Sequence, residues 1–256
     1  MKKISALLAF VVLAFTQLVF ANAVVTDLSG TVTVQVGSST PRPLRLGDQI
    51  NQGDTVVTGA ASTVVLKFDD GQIAALTRNS RMTVSTYRFD RAANSGNVLL
   101  SLVQGGMRAV TGLIGRASPR SVSYRAATAT IGIRGTDVNI ATNGKDVVVS
   151  VNDGVITFSF QGQTVTVPAG QAGALLDGKV TAADKGQLQA AIAQANPALA
   201  NALGDVSDAA LTEAIRRANT GPVSGDPQST TVDRSTITTQ GSGSGTGGGS
   251  SSPSRP

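Results

Sequence analysis

Polar and apolar residues alternate along Thr31-Val32-Thr33-Val34-Gln35-Val36, the two-residue period of a half-buried strand. Comparable runs cover Thr63 to Phe68, Gln72 to Leu76, Met82 to Tyr87, Val98 to Val103, Val138 to Ala141, Val147 to Val151, Val155 to Phe160 and Thr164 to Val167. Their β-branched content suits a pleated surface. Asp69-Asp70-Gly71 and Asn152-Asp153-Gly154 each set an Asp-Gly pair between two such runs. That pattern predicts hairpins, because glycine accepts positive φ. Neither cluster has the alternating oxygen spacing of a calcium loop. Gly53-Asp54, Gly105-Gly106, Gly144 and Gly162 punctuate the remainder. Turn signals at intervals of about 8–12 residues predict an all-β domain over residues 24–181.

From Thr181 the period changes. Leu188, Ile192 and Ala195 fall at helical spacing until Asn196-Pro197 breaks the run. Ser207 is placed to cap a second helix, with Leu211, Ala214 and Ile215 on one face and Arg216 and Arg217 near its end. Residues 182–220 are therefore expected to be a short helical segment, either capping the β-domain or serving as a docking or oligomerisation hairpin. Residues 221–256 are rich in Gly and Ser and predict a disordered tail. At the other end, Lys2 and Lys3 precede an apolar run from Ile4 to Phe20, followed by Ala21-Asn22-Ala23. This predicts a signal peptide over residues 1–23, cut after Ala23, and a periplasmic or secreted protein. An uncleaved anchor is the alternative, and no later stretch is long and apolar enough to span a bilayer.

Composition narrows the chemistry. The 256 residues include no Cys, His or Trp. Disulfides, thiolate or imidazole metal sites and Ser-His or Cys-His nucleophiles are thereby excluded. Phosphate loops, dinucleotide fingerprints and the common serine-nucleophile motifs are also missing. No enzymatic activity, metal or cofactor is expected; two Asp carboxylates paired by the fold is the one catalytic arrangement left open. The net charge of +5 is unevenly spread: from Arg78 to Arg134 there are nine arginines and one acid, Asp90. Such a stretch could meet an acidic envelope protein, lipopolysaccharide or an anionic glycan, or could simply be solvated strand face. Arg78, Arg81, Arg88, Arg91, Arg108 and Arg134 are the candidate interaction residues. Nucleic acid is disfavoured, since only 2 Tyr and 7 Phe are available to stack on bases.

Several segments in order resemble the FecR-type domain of bacterial periplasmic sensors. Leu46-Gly47-Asp48-Gln49-Ile50 and Gly53-Asp54-Thr55-Val56-Val57-Thr58-Gly59 are similar to its opening. Val64 to Gly71 and Leu76-Thr77-Arg78-Asn79-Ser80 resemble the strand, turn and N-S segment that follow. Leu100 to Arg108 is similar to the next strand, and Ala129-Thr130-Ile131-Gly132-Ile133-Arg134-Gly135-Thr136-Asp137-Val138 to the R-G-T signature. Val149 to Val155 and Val167 to Gln171 resemble the closing strands, so the likeness spans residues 46–176.

The resemblance implies a solenoid-like roll of short strands and hairpins that acts in extracytoplasmic signalling or protein interaction. In the signature, Gly132 and Gly135 bracket Arg134 and allow a bend or close backbone approach. Arg134 is either an internal brace, with Asp137 the nearest carboxylate, or a partner-binding residue. Thr136 completes the structural motif. Full-length sensors look outward to a receptor and inward to a sigma factor, through a cytoplasmic segment and a transmembrane helix. Here a signal peptide is expected in their place, and with it a stand-alone exported interaction module. A surface or matrix structural or adhesive protein and a glycan-binding module are the alternatives; the second is weakened by how few aromatics the β-region offers for stacking on sugars.

Overall fold

The computed structural model describes residues 22–220. The Gly/Ser-rich tail and nearly all of the expected signal peptide lie outside the described residues. The strands are β1 (Ala23–Ser29), β2 (Val32–Val36), β3 (Arg42–Pro43), β4 (Gln49–Ile50), β5 (Asp54–Thr58), β6 (Thr63–Phe68), β7 (Ile73–Leu76), β8 (Arg81–Asp90) and β9 (Ser95–Val110). A short helix α1 (Leu113–Ala117) and one 3-10 turn (Pro119–Ser121) lead to β10 (Val122–Ala126), β11 (Ala129–Thr142), β12 (Val147–Phe160), β13 (Gln163–Pro168), β14 (Gln171–Leu176) and β15 (Lys179–Asp184). Three helices close the described chain: α2 (Lys185–Ala195), α3 (Pro197–Asp205) and α4 (Ala209–Thr220).

All fifteen strands join one open sheet. Its pairs are antiparallel except β9 with β10, which run parallel. The expected strands and hairpins are present, in an open sheet that folds over on itself. A rhythm of short apolar runs and turns does not by itself specify a solenoid, and the pairing does not establish one.

Three strands make the fold, and each is longer than its apolar run suggests. The first half of β9 pairs with β8 and β10, and its second half with β7 and β11. The first half of β11 pairs with β10 and its second half with β9. The second half of β12 pairs with β13, and its first half with β14. These strands thus pass from one layer to the other, bending at Gly105 in β9, Gly135 in β11 and Gly154 in β12, all at positive φ. Asn152-Asp153-Gly154, expected as a hairpin turn, is this bend inside β12. Asp69-Asp70-Gly71 does join the β6–β7 hairpin.

The first layer comprises β2, β3, β5, β8, β10, β13 and the adjoining halves of the long strands. The second comprises β1, β4, β6, β7, β14, β15 and the other halves. Between them lies one continuous core, in which Val56, Leu100, Tyr124, Ile131 and Phe158 of the first layer meet Leu66, Phe68, Leu76, Met107 and Ile140 of the second. Phe68 and Tyr87 touch across it with ring centroids 5.1 Å apart.

The outer side of the second layer is apolar too, so several of its strands are buried on both faces. Ala141, Val148, Ala172 and Ala174 meet Leu188 and Ile192 of α2 and Leu199 and Leu203 of α3. Val65, Ile73 and Ala75 meet Leu211, Ala214 and Ile215 of α4. Asn196-Pro197 does more than break a helix: the Asn196 side chain accepts from the Leu199 N–H, and Pro197 opens α3, which the sequence reading missed. Asp208, not Ser207, caps α4, accepting from the N–H groups of Ala210 and Leu211. Ser207 donates instead to the Leu203 carbonyl at the end of the preceding helix. None of the described helices is long and apolar enough to cross a membrane.

Candidate interaction surface

Helices α2, α3 and α4 pack on the second layer, and the outer face of the first is left to solvent. Its cross-strand pairs line up polar residues in register: Thr55, Thr83, Ser101, Arg125, Thr130, Ser159 and Thr164 follow one another across β5, β8, β9, β10, β11, β12 and β13. Hydroxyl contacts link several neighbours, with Thr55 to Thr83 and Ser85 to Ser101 both at 2.8 Å. Apolar residues alternate with these positions and fill the core, as a half-buried antiparallel sheet requires.

The six arginines singled out from sequence divide into two groups. Arg78 binds Asp205 of α3 through Nε at 2.8 Å. Arg108 grips Asp137 in a fork, Nε to Oδ1 at 2.9 Å and Nη2 to Oδ2 at 2.6 Å, and donates through Nη1 to the Thr212 hydroxyl of α4. Both are committed within the fold. Arg81, Arg88, Arg91 and Arg134 are exposed and form no ion pair with any described residue. Arg116, Arg120 and Arg125 are equally exposed and unpaired, and selection by sequence passed over them although they lie in the same basic stretch.

The Arg-Gly-Thr segment splits its duties. Arg134 is not an internal brace; it points outward, and its expected partner Asp137 belongs to Arg108. On β11, Asn139 is the residue directly opposite Arg108, which puts Asp137 on the adjacent diagonal, within reach of a guanidinium. Thr136 is buried, where its carbonyl accepts from the Thr111 hydroxyl and its N–H donates back to that hydroxyl, both at 2.9 Å. Gly135 makes the bend, and Gly154 lies so close that a Cβ there would come within 2.0 Å of the Gly135 carbonyl oxygen.

The acids nearest the core are structural. Asp70 is almost fully buried, accepting from the Gln72 N–H at 3.1 Å, the Tyr87 hydroxyl at 3.2 Å and the Ile114 N–H at 3.4 Å. Burial pushes its carboxyl above the usual aspartate range, and burial also raises the Tyr87 hydroxyl. Its neighbour Asp69 is raised by burial as well, against the pull of Arg91. Asp70 is thus enclosed by backbone donors and a phenol, while Asp69 beside it is half-buried. The outer face of the first layer presents chiefly hydroxyls and guanidinium groups, which can donate hydrogen bonds to anions.

Residues 54–157, from β5 into β12, match the family model described as FecR protein. Among solved structures, two of a candidate anti-sigma factor from Parabacteroides distasonis are similar. One shares 12% identity over 51% of this chain and 59% of its own, with a TM-score of 0.41. The other shares 11% over 56% and 64%, with a TM-score of 0.42. This chain thus spans about three fifths of their length. A structure described as a cell surface anchoring domain shares 39% identity over 24% of this chain and 82% of its own, with a TM-score of 0.24. No curated protein matches the chain. The seven arginines without an ion pair and the three strands that cross between layers all fall within or run into residues 54–157, the segment that matches the FecR protein model.

Proposed function

We propose that the chain is an exported, non-enzymatic protein-interaction module of the bacterial envelope that works in signalling and receives a partner on the outer face of its first layer. The observation that carries the reading is the asymmetry of the two layers. One has its outer side sealed by three helices, while the other leaves a hydroxyl-bearing face and unpaired arginines in water. Leaving that many cations without an internal ion pair favours an acidic partner. The FecR domain supports the link to signalling, and the N-terminal charged and apolar pattern supports export. The absence of Cys and His from the sequence supports a binding role over catalysis.

Affinity capture with the tagged full chain from crosslinked envelope extract, read by mass spectrometry, tests this reading. A specific envelope protein is expected, lost when Arg81, Arg88 and Arg91 are all replaced by Ser. Undiminished capture by that variant contradicts the reading. The open edges of the sheet favour a second one, self-association into a surface structure: β13 pairs only with β12 and β15 only with β14. Concentration-dependent growth in sedimentation would move the function to that class.

A further inference from the structure

A groove of about 830 Å³ opens where the 3-10 turn meets β10, β11 and β12. Arg120 enters from the turn and Arg134 from β11, and the hydroxyls of Ser121, Ser123 and Thr157 lie along it. Neither arginine has an ion pair with a described residue, and no carboxylate lines the groove. Gly132 keeps the floor low: a Cβ there would stand 2.6 Å from the Thr157 Oγ1. Two guanidinium groups with no internal anion, set in one recess among hydroxyls, carry positive charge that nothing within the groove's lining neutralises.

We propose that this groove binds an acidic peptide segment of the partner protein. Each guanidinium takes one side-chain carboxylate through two parallel hydrogen bonds, the geometry that suits a planar fork. The hydroxyls of Ser121, Ser123 and Thr157 pair with the peptide backbone, which supplies both donors and acceptors. An anionic glycan would find the same charge but no aromatic side chain in the lining on which to stack a sugar ring. This proposal rests on the interaction-face reading above and narrows it to one recess.

The test is fluorescence anisotropy on the full chain with a labelled octapeptide of alternating aspartate and serine, against a neutral glycine-serine peptide and against alginate as the anionic glycan. The acidic peptide is expected to bind, and binding should weaken at least about tenfold in the Arg120→Ser/Arg134→Ser double variant, the loss of two charge-assisted contacts. Arg81→Ser/Arg91→Ser removes as much charge elsewhere and should weaken it far less. Gly132→Leu fills the groove without changing charge, its Cβ meeting only the movable Thr157 hydroxyl, and should also abolish binding. Both groove variants alter solvent-facing positions, and unchanged thermal melts establish that they fold. Equal losses in the two charge variants, full binding by Gly132→Leu, or tighter binding of alginate than of peptide would each overturn the proposal. So would failure of the wild-type chain to bind the peptide. Envelope-protein capture that survives Arg120→Ser/Arg134→Ser sinks the groove alone, whereas capture that survives loss of Arg81, Arg88 and Arg91 sinks the wider reading.

Discussion

Arg108 and Asp137 meet across the β9–β11 pair in a two-bond fork, at 2.9 and 2.6 Å, with side chains only 13% and 20% exposed. The pair sits just beyond the bend of β11 at Gly135, where the strand has entered the second layer. Asn152 of β12 donates to the same Asp137 carboxylate, and Thr212 of α4 accepts from Arg108. Two long strands, a third crossing strand and a capping helix are thereby tied at one point.

Arg108→Met should therefore lower unfolding free energy by about 2 kcal/mol, through lost charge-assisted hydrogen bonds and a carboxylate left without its partner. Asp137→Asn should cost a comparable amount. The double variant should cost less than the two losses added together, because the second change removes the group that the first left unpaired. Urea titration measures all three, and strict additivity would show that the fork is not a coupled unit.

The crossing of β11 and β12 yields a sharper contrast. Gly154→Ala places a methyl against the Gly135 carbonyl at a positive φ, and should cost about 3 kcal/mol or more. Gly162 also has positive φ but open space around it, so Gly162→Ala should cost only about 1 kcal/mol. Thermal melts of the two variants should differ widely. Equal melting temperatures would mean that close approach of the strands is not what fixes Gly154.

Asp70 gives stability a pH dependence of defined sign. Burial raises its folded-state value above the unfolded one, so folding favours the protonated carboxyl. Its contribution is complete below the unfolded value of about 3.9 and is lost as pH rises through the folded value. Asp70→Asn keeps one carbonyl acceptor, enough for the Gln72 N–H, loses the second oxygen that accepts from the Ile114 N–H, and does not titrate, so its cost is independent of pH. Wild-type stability minus that of Asp70→Asn should fall as pH climbs from about 3.5 towards neutrality. Paired urea titrations across that range measure the difference, and a difference that rises with pH would reverse the assignment.

Export, if it occurs, should leave a specific N-terminus. Ala23 is fully buried in β1 opposite Ile50 and Phe68. Asn22 donates to the Ile50 carbonyl at 3.1 Å, accepts from Asp69 at 3.1 Å and accepts from Gln52 through its side chain at 2.6 Å. A cut after Ala23, the expectation from the A-x-A pattern, would remove all of these contacts. A cut after Ala21 keeps them and still places Val19 and Ala21 at the two positions a signal peptidase reads. Intact-mass measurement of the exported protein should find Asn22 first, and a start at Val24 would contradict this.

Strand positions were legible where polar and apolar residues alternate strictly, as in Thr31 to Val36, because one period fixes both the element and its buried face. Most of the crossings were not. Gly135 reads as a candidate bend and is one, but Gly105 and Gly154 read as turn glycines although each sits inside a strand, and only pairing on both sides distinguishes a bend from a turn. The helix cap at Asn196 was hidden for a similar reason, since Asn-Pro both ends one helix and starts another. Basic character was plain along the chain from Arg78 to Arg134. Which arginines are free was not, because Arg108 and Arg134 differ only in whether the fold brings a carboxylate within reach.

We propose above that the outer face of the first layer is the interaction surface. It is tested most directly by placing a photo-crosslinking residue at Thr130, exposed on β11, and separately at Asn201, exposed on α3, and irradiating intact cells. A discrete adduct with a second protein is expected from position 130 and none from position 201. An adduct from 201 with none from 130 would place the partner on the helical side and contradict it.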